Sequence, residues 1–319
     1  MPHTDGAKQR FQTYLFFLRH LDILIRMGRN SSLSSALISS IISEQKPLLR
    51  AEKKRHLGQS EQSSIKKLLF NAWNSETVAR MNSRFDSDVR FITNQWKPIQ
   101  TYYAIYFLLA AIHLVFDSKR RDQHSVTLQF ATNSISGKLV RPWCCRYNFE
   151  TRECFGFPWH TPPRLSAGWN LANQEPYAFL ANFYRTTGSL KRHDKWSEQK
   201  GRRHPPPHPR AGRRIQQSDV PGGYISIWNA LGRMRKWVNY KEAAALLEGQ
   251  RLMSQPHIDE FDEALNSILT GSAAVLECYL SVLVESEMRA FYQEYRQMMG
   301  QFACSEFLER YDVIFSQQS

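Results

Sequence analysis

A chain of 319 residues, 42% of them hydrophobic and with mean hydropathy −0.49, can bury one large core or two modest ones, which excludes a disordered polymer. Five cysteines without a scaffold rhythm exclude a disulfide-stapled module and suit a reducing, cytoplasmic setting. A formal net charge of +13 favours polyanions as partners, nucleic acid first, with acidic proteins or lipids behind it.

In chain order, apolar spacing predicts helices over 10–27 and 33–42, separated by the GRNSS break at 28–32, where Ser31 or Ser32 would cap the second. The N-terminus carries Asp5 and Asp22 with no small-residue cleavage site, so no signal peptide is expected. Segment 43–64 holds Pro47, Gly58 and a dense charge run, and reads as a mobile linker or an exposed helix end. Helical spacing returns over 65–81. Pro98 then marks the start of a strong helix, 99–116. Its apolar run YYAIYFLLAAIHLVF, 15 residues from 102, is shorter than the roughly 20 a bilayer requires, so it reads as buried core with no membrane implied. A shorter helix is predicted over 123–135.

From 136 to 223 the composition shifts. This stretch holds 15 Lys and Arg against 6 Asp and Glu, and four of the eight tryptophans. It ends in KGRRHPPPHPRAGRR, whose triple proline cannot continue a helix and favours an extended chain. It reads as a basic insertion between helices. Helical patterns resume at 225–248, run unusually long over 257–299 with a kink expected at Gly271, and close at 303–315. No strand period persists, so the fold class is all-α. The organisation expected is an N-terminal helical region (1–84), a core formed by 85–135 and 224–319, and the 136–223 insertion.

Two segments carry a family likeness. TYYAIYFLLAAIHLVF is similar to the helix that opens the core of HEPN-domain proteins, and QHSVTLQFATNSI resembles the histidine-containing segment that follows it. LGRMRKWVNYKEA resembles the later family helix through Arg235, Asn239 and Tyr240, with Arg233 nearby. The resemblance covers 99–135 and 224–250 and implies a helical bundle of prokaryotic defence or toxin–antitoxin type, which binds RNA or nucleotide and commonly dimerises. It also implies candidate partners, a homodimer mate or a cognate nucleotidyltransferase. A separate alternative, from another class, is a helical interaction or scaffold subunit whose basic insertion docks an acidic partner protein. Catalytic family members look like metal-independent RNases with Arg-x4-6-His. No histidine follows Arg235 in that window, and the four pairs elsewhere that satisfy the spacing are about what chance supplies. Non-catalytic binding is therefore the expectation, with cleavage using Arg235 as the alternative.

On the helix over 225–248, Ile227, Leu231, Met234 and Val238 make a core stripe, with Arg235 and Asn239 on the adjacent face beside Trp228. Such an arginine can hold a phosphate bidentately or tie helices together. If the 99–116 helix packs there, His113 or Tyr106 could reach Arg235 for acid–base chemistry, with Asn239 and Tyr240 positioning a 2′-hydroxyl. His124 reads as a cap for a helix beginning near Ser125. Arg202, Arg203, Arg210, Arg213 and Arg214, with Trp196, could neutralise and stack on single-stranded nucleic acid. Cys144, Cys145, Cys154 and His160 fall within 17 residues, but vicinal cysteines suit one tetrahedral zinc poorly, so no metal is expected. No Walker A loop, GxGxxG, HExxH or GxSxG occurs, and no cofactor is called for.

Overall fold

The computed structural model describes residues 2–29, 34–81, 95–117, 123–161, 175–199, 223–238 and 248–315; the side chains of 2–5, 10 and 192–199 lie outside that description. The fold is all-α. Helices α1 (Pro2–Arg26), α2 (Ser34–Leu48) and α3 (Gln59–Met81) lead to α4 (Lys97–Phe116) and the short α5 (His124–Phe130). Strands β1 (Arg146–Asn148) and β2 (Cys154–Phe155) precede α6 (Pro176–Gln199), β3 (Tyr224–Ser226) and α7 (Ile227–Lys236). Helices α8 (Gln255–Leu283), α9 (Glu285–Met299) and α10 (Ser305–Phe315) complete the order. The expected caps Ser31 and Ser32 lie outside the described residues.

Helix α4 is apolar on nearly all faces, the signature of a helix enclosed by others. It starts with Pro98 in its first turn, where no N–H is needed, and packs most extensively on α3, with α8 also against it. Helix α8 is buried along most of its length between α1, α2 and α4. Both are long and apolar enough to cross a bilayer by length and composition, yet 72% and 89% of their most apolar windows are enclosed by the rest of the chain. One apolar core runs from Phe11 on α1 to Phe315 on α10 and takes in α2 and α3.

Several expectations change. The long helix over 257–299 is two helices, broken at Val284 (φ −140°, ψ 57°). Glu285 and Glu287 then open α9, where their charge suits the positive end of its dipole. Helix α8 runs unbroken through Gly271; a Cβ there would lie 2.7 Å from Trp143 Cζ2, so the glycine admits the indole, whose Nε1 donates to Ser272 Oγ (3.0 Å). The supposed linker is pinned: α2 continues to Leu48, Leu57 is buried, and the Arg55 N–H donates to the Leu283 carbonyl (2.7 Å). The 136–223 stretch contains α6 and two strands. With β3 they form a small antiparallel sheet ordered β2-β1-β3, with Tyr147 opposite Cys154 and Ile225.

A charged network joins α3, α8, α9 and α10. Arg310, fully buried on α10, donates to Glu76 (2.8 and 2.5 Å) and to Glu277 (2.7 and 3.0 Å). Arg80 donates to Glu76 (2.7 and 2.9 Å), Glu306 (3.0 Å) and Thr270 (2.9 Å). Trp73 Nε1 and the Tyr292 hydroxyl also donate to Glu277. Burial alone would raise the Glu76 pKa, but the guanidiniums of Arg310 and Arg80 hold it down at about 2. Such a network locks the helices in one arrangement, because each charge is uncompensated in any other.

Candidate functional site

The site is assembled around α7. Ser226 ends β3 and precedes the helix; the Asn229 side chain accepts its backbone N–H (3.1 Å). Thr132, in the wide π-turn that follows α5, meets the hydroxyl of Ser226 (2.7 Å) and donates to Asn229 (3.1 Å). Trp228 is buried, and its Nε1 donates to Ser136 (2.9 Å). Ile227, Leu231, Met234 and Val238 are buried as the stripe requires. Gly232 permits close approach to its neighbours, since a Cβ there would lie 3.0 Å from Leu128 Cδ1 and 3.6 Å from Tyr102.

These anchors aim the three cations of the last turn in different directions. Lys236 is exposed. Arg233 turns to α6, donating to Thr186 (2.9 Å) and Thr187 (3.2 Å) with its guanidinium 4.5 Å from the Phe183 ring centre. Arg235 turns to α4. Its Nη2 donates to the Tyr103 hydroxyl (2.8 Å), and its guanidinium lies 5.3 Å and 5.2 Å from the ring centres of Tyr102 and Tyr103.

His124 joins this group from α5. Its ring stacks on Tyr106 (3.9 Å between centres), and its Nδ1 shares a hydrogen bond with the Tyr102 hydroxyl (2.9 Å). Burial and the Arg235 charge both push its pKa below the ordinary value of 6.5, so the imidazole is neutral at neutral pH. Burial pushes the Tyr102 phenol far above its usual range, so it remains protonated. A partly exposed guanidinium, a neutral imidazole and three tyrosines thus converge from α4, α5 and α7. The guanidinium can take a phosphate, and the imidazole can take a proton.

Of the residues proposed from the sequence that lie among the described residues, Arg235 and Tyr106 join this group, both against Tyr102. His113 does not: it lies ten residues beyond Tyr103, about 15 Å along α4, and its ring stacks on Phe130 (4.1 Å). His124 is not a cap. It is the first residue of α5, Gln123 precedes it, and no side chain caps that end. Asn239, Tyr240, Arg202, Arg203, Arg210, Arg213 and Arg214 lie outside the described residues, as does the side chain of Trp196 on α6. The sequence reading missed Tyr103 and the pairing of His124 with Arg235. The available signal was three tyrosines within one and a half turns at 102, 103 and 106, too many hydroxyls for a purely apolar face.

Cys144, Cys145, Cys154 and His160 follow the loop and small sheet that carry β1 and β2. Cys145 Sγ donates to the Gly156 carbonyl (3.3 Å), and the Cys154 N–H donates to the His160 carbonyl (2.6 Å). Burial pushes the Cys154 thiol up to about 12, keeping it protonated. Among the described residues no three His, Cys, Asp or Glu side chains gather as ion ligands would.

No family model matches the chain, and no curated protein or solved structure is detectably similar to it.

Proposed function

We propose that this chain is a nucleic-acid-binding protein of HEPN-like, all-α type, that RNA is its ligand, and that Arg235 receives a backbone phosphate. The observation that carries this reading is the Arg235 guanidinium, part-exposed and held against Tyr102 and Tyr103 beside a neutral His124. An arginine oriented in this way loses less freedom on binding a phosphate than a freely rotating one, and tyrosine faces offer stacking surface to unpaired bases. The net charge of +13 supports the same class of ligand.

A second reading, metal-independent RNA cleavage, is favoured by His124 alone. With Nδ1–H donating to the Tyr102 oxygen, Nε2 keeps its lone pair and can take the proton of a 2′-hydroxyl. The 2′-oxygen then attacks phosphorus, the P–O5′ bond breaks with the 5′-oxygen taking a proton from solvent water, the imidazolium returns its proton to solvent, and Arg235 offsets the charge developing on the phosphoryl oxygens. The product would be a 2′,3′-cyclic phosphate and a 5′-hydroxyl end.

End-labelled RNA incubated with the protein in EDTA tests both, by filter binding and on a denaturing gel. Binding that weakens steeply with salt and is lost in Arg235→Ala supports the first reading. Cleavage abolished by His124→Ala, with binding retained, adds the second. No affinity at physiological salt would overturn both and leave docking of an acidic partner protein as the reading to pursue.

A further inference from the structure

Cys144 and Cys145 lead into β1, and the antiparallel return through β2 brings Gly156 against both sulfurs. Gly156 has φ 77°, and a Cβ there would lie 2.9 Å from Cys144 Sγ, so the position requires glycine. Its carbonyl accepts from Cys145 Sγ (3.3 Å). The two thiols thus flank one residue, with Cys145 buried and Cys144 part-exposed. Phe157 follows Gly156 and meets Tyr177 and Tyr184 of α6 edge-on, at 5.9 and 6.1 Å between ring centres. Helix α6 therefore closes over the thiol pair with its aromatic face.

Tyr184 brings an unanswered polar group to this cluster. Its side chain is wholly buried, and its hydroxyl has no hydrogen-bond partner among the described residues. Cys145 and Cys144 are the ionisable groups that act on its phenol, so that end of the side chain faces the thiols. A buried donor without an acceptor is costly to keep, and its presence needs a reason. The thiols themselves differ. The hydrogen bond from Cys145, and then the guanidiniums of Arg141 and Arg146, hold the Cys144 thiol below its ordinary range against the opposing effect of burial. Burial pushes Cys145 well up and Cys154, Cys278 and Cys304 up to about 12. Of the five cysteines, Cys144 alone combines exposure with thiolate character.

From this arrangement we infer that Cys144 is a site of oxidation by hydroperoxides, and that the Tyr184 hydroxyl holds the oxygen of the sulfenic acid formed there. The Cys144 thiolate sulfur attacks one peroxide oxygen, and the S–O bond forms as the O–O bond breaks. Sulfur is oxidised and the peroxide reduced; the departing oxygen takes a proton from solvent and leaves as water or an alcohol. Arg141 and Arg146 stabilise the thiolate before the step, and Tyr184 donates to the transferred oxygen as it arrives. That oxygen is the acceptor the phenol lacks. A metal cation would offer the phenol no acceptor and would face both guanidiniums. The inference is independent of the Arg235 reading, whose residues lie on α4, α5 and α7.

The test treats the full chain with hydrogen peroxide, traps sulfenic acid with dimedone and reads each cysteine peptide by mass spectrometry. The adduct is expected at Cys144 and should vanish in Cys144→Ser. Tyr184→Phe keeps the ring and should slow the oxidation about tenfold, the loss of one hydrogen bond. It should leave alkylation of Cys144 by iodoacetamide unchanged, because that reaction transfers no oxygen. Arg141→Ala removes an exposed cation and should slow both reactions about threefold. Circular dichroism checks that each variant is folded. A folded parent chain with no dimedone adduct at Cys144 overturns the inference. So does a Tyr184→Phe chain oxidised as fast as the parent, or one whose alkylation slows as much as its oxidation, which would make Tyr184 a packing residue only.

Discussion

Arg310 and Arg235 show two uses of one side chain. Arg310 is wholly enclosed, and its Nε, Nη1 and Nη2 meet the carboxylates of Glu76 and Glu277. Arg235 reaches a phenol and two aromatic faces at the edge of the bundle. The first arrangement spends the cation's charge on holding α3, α8 and α10 together. The second orients a guanidinium while leaving it accessible. Depth and the type of partner, more than the residue itself, decide whether an arginine is locked into the core or left part-exposed at a helix edge.

The largest effect expected from this contrast is on stability. Arg310→Met should cost about 3–5 kcal/mol in urea unfolding, because two buried carboxylates lose their cation. A loss below about 1 kcal/mol would show that the network is not the lock described. Acid should act on the same network. The Glu76 pKa is depressed to about 2 in the folded chain, so the unfolded state takes up the proton first as pH drops below 4.5. Its contribution is full above pH 4.5, is lost as pH falls toward 2, and amounts to about 3 kcal/mol. Stability measured from pH 6 down to pH 3 should decline over that window, and Glu76→Gln should flatten the decline.

At the other arginine the balance reverses. Arg235→Ala should change stability by less than about 1 kcal/mol while lowering RNA affinity about tenfold or more and reducing the salt slope by about one. Equal losses of folding and binding would place Arg235 with Arg310 as a structural group. The smallest effect is electrostatic. His124 should titrate below 6.5, and Arg235→Ala should move it back toward that value, since one of the two causes of its depression is removed. Proton chemical shifts of the imidazole followed against pH would show it.

Helical spacing in the sequence located α1, α3, α4 and α10 and the buried stripe of α7, because each presents one apolar face with a regular period. It joined α8 to α9, since the break at Val284 is a backbone event within an unbroken apolar pattern. It passed over α6, where Phe179, Leu180, Phe183 and Tyr184 are buried in a stretch whose basic and proline-rich surroundings read as a loop. Arg235 was legible from its place beside an apolar stripe. Tyr103 and His124 were not, because they belong to other helices and meet Arg235 only through packing around Gly232 and the Thr132–Ser226–Asn229 contacts.

The buried network also sets an order of events during synthesis. Arg310 follows Glu76 by 234 residues and Glu277 by 33. At roughly 5–20 residues per second, Glu76 waits about 12–47 s for Arg310 to be made, with Arg80 as its nearest cation meanwhile. Glu277 has no such neighbour on its own turn of helix and waits until α10 leaves the ribosome. Closure of α3, α8 and α10 around these charges is therefore a late step of folding, and a nascent chain arrested before residue 310 should remain sensitive to protease.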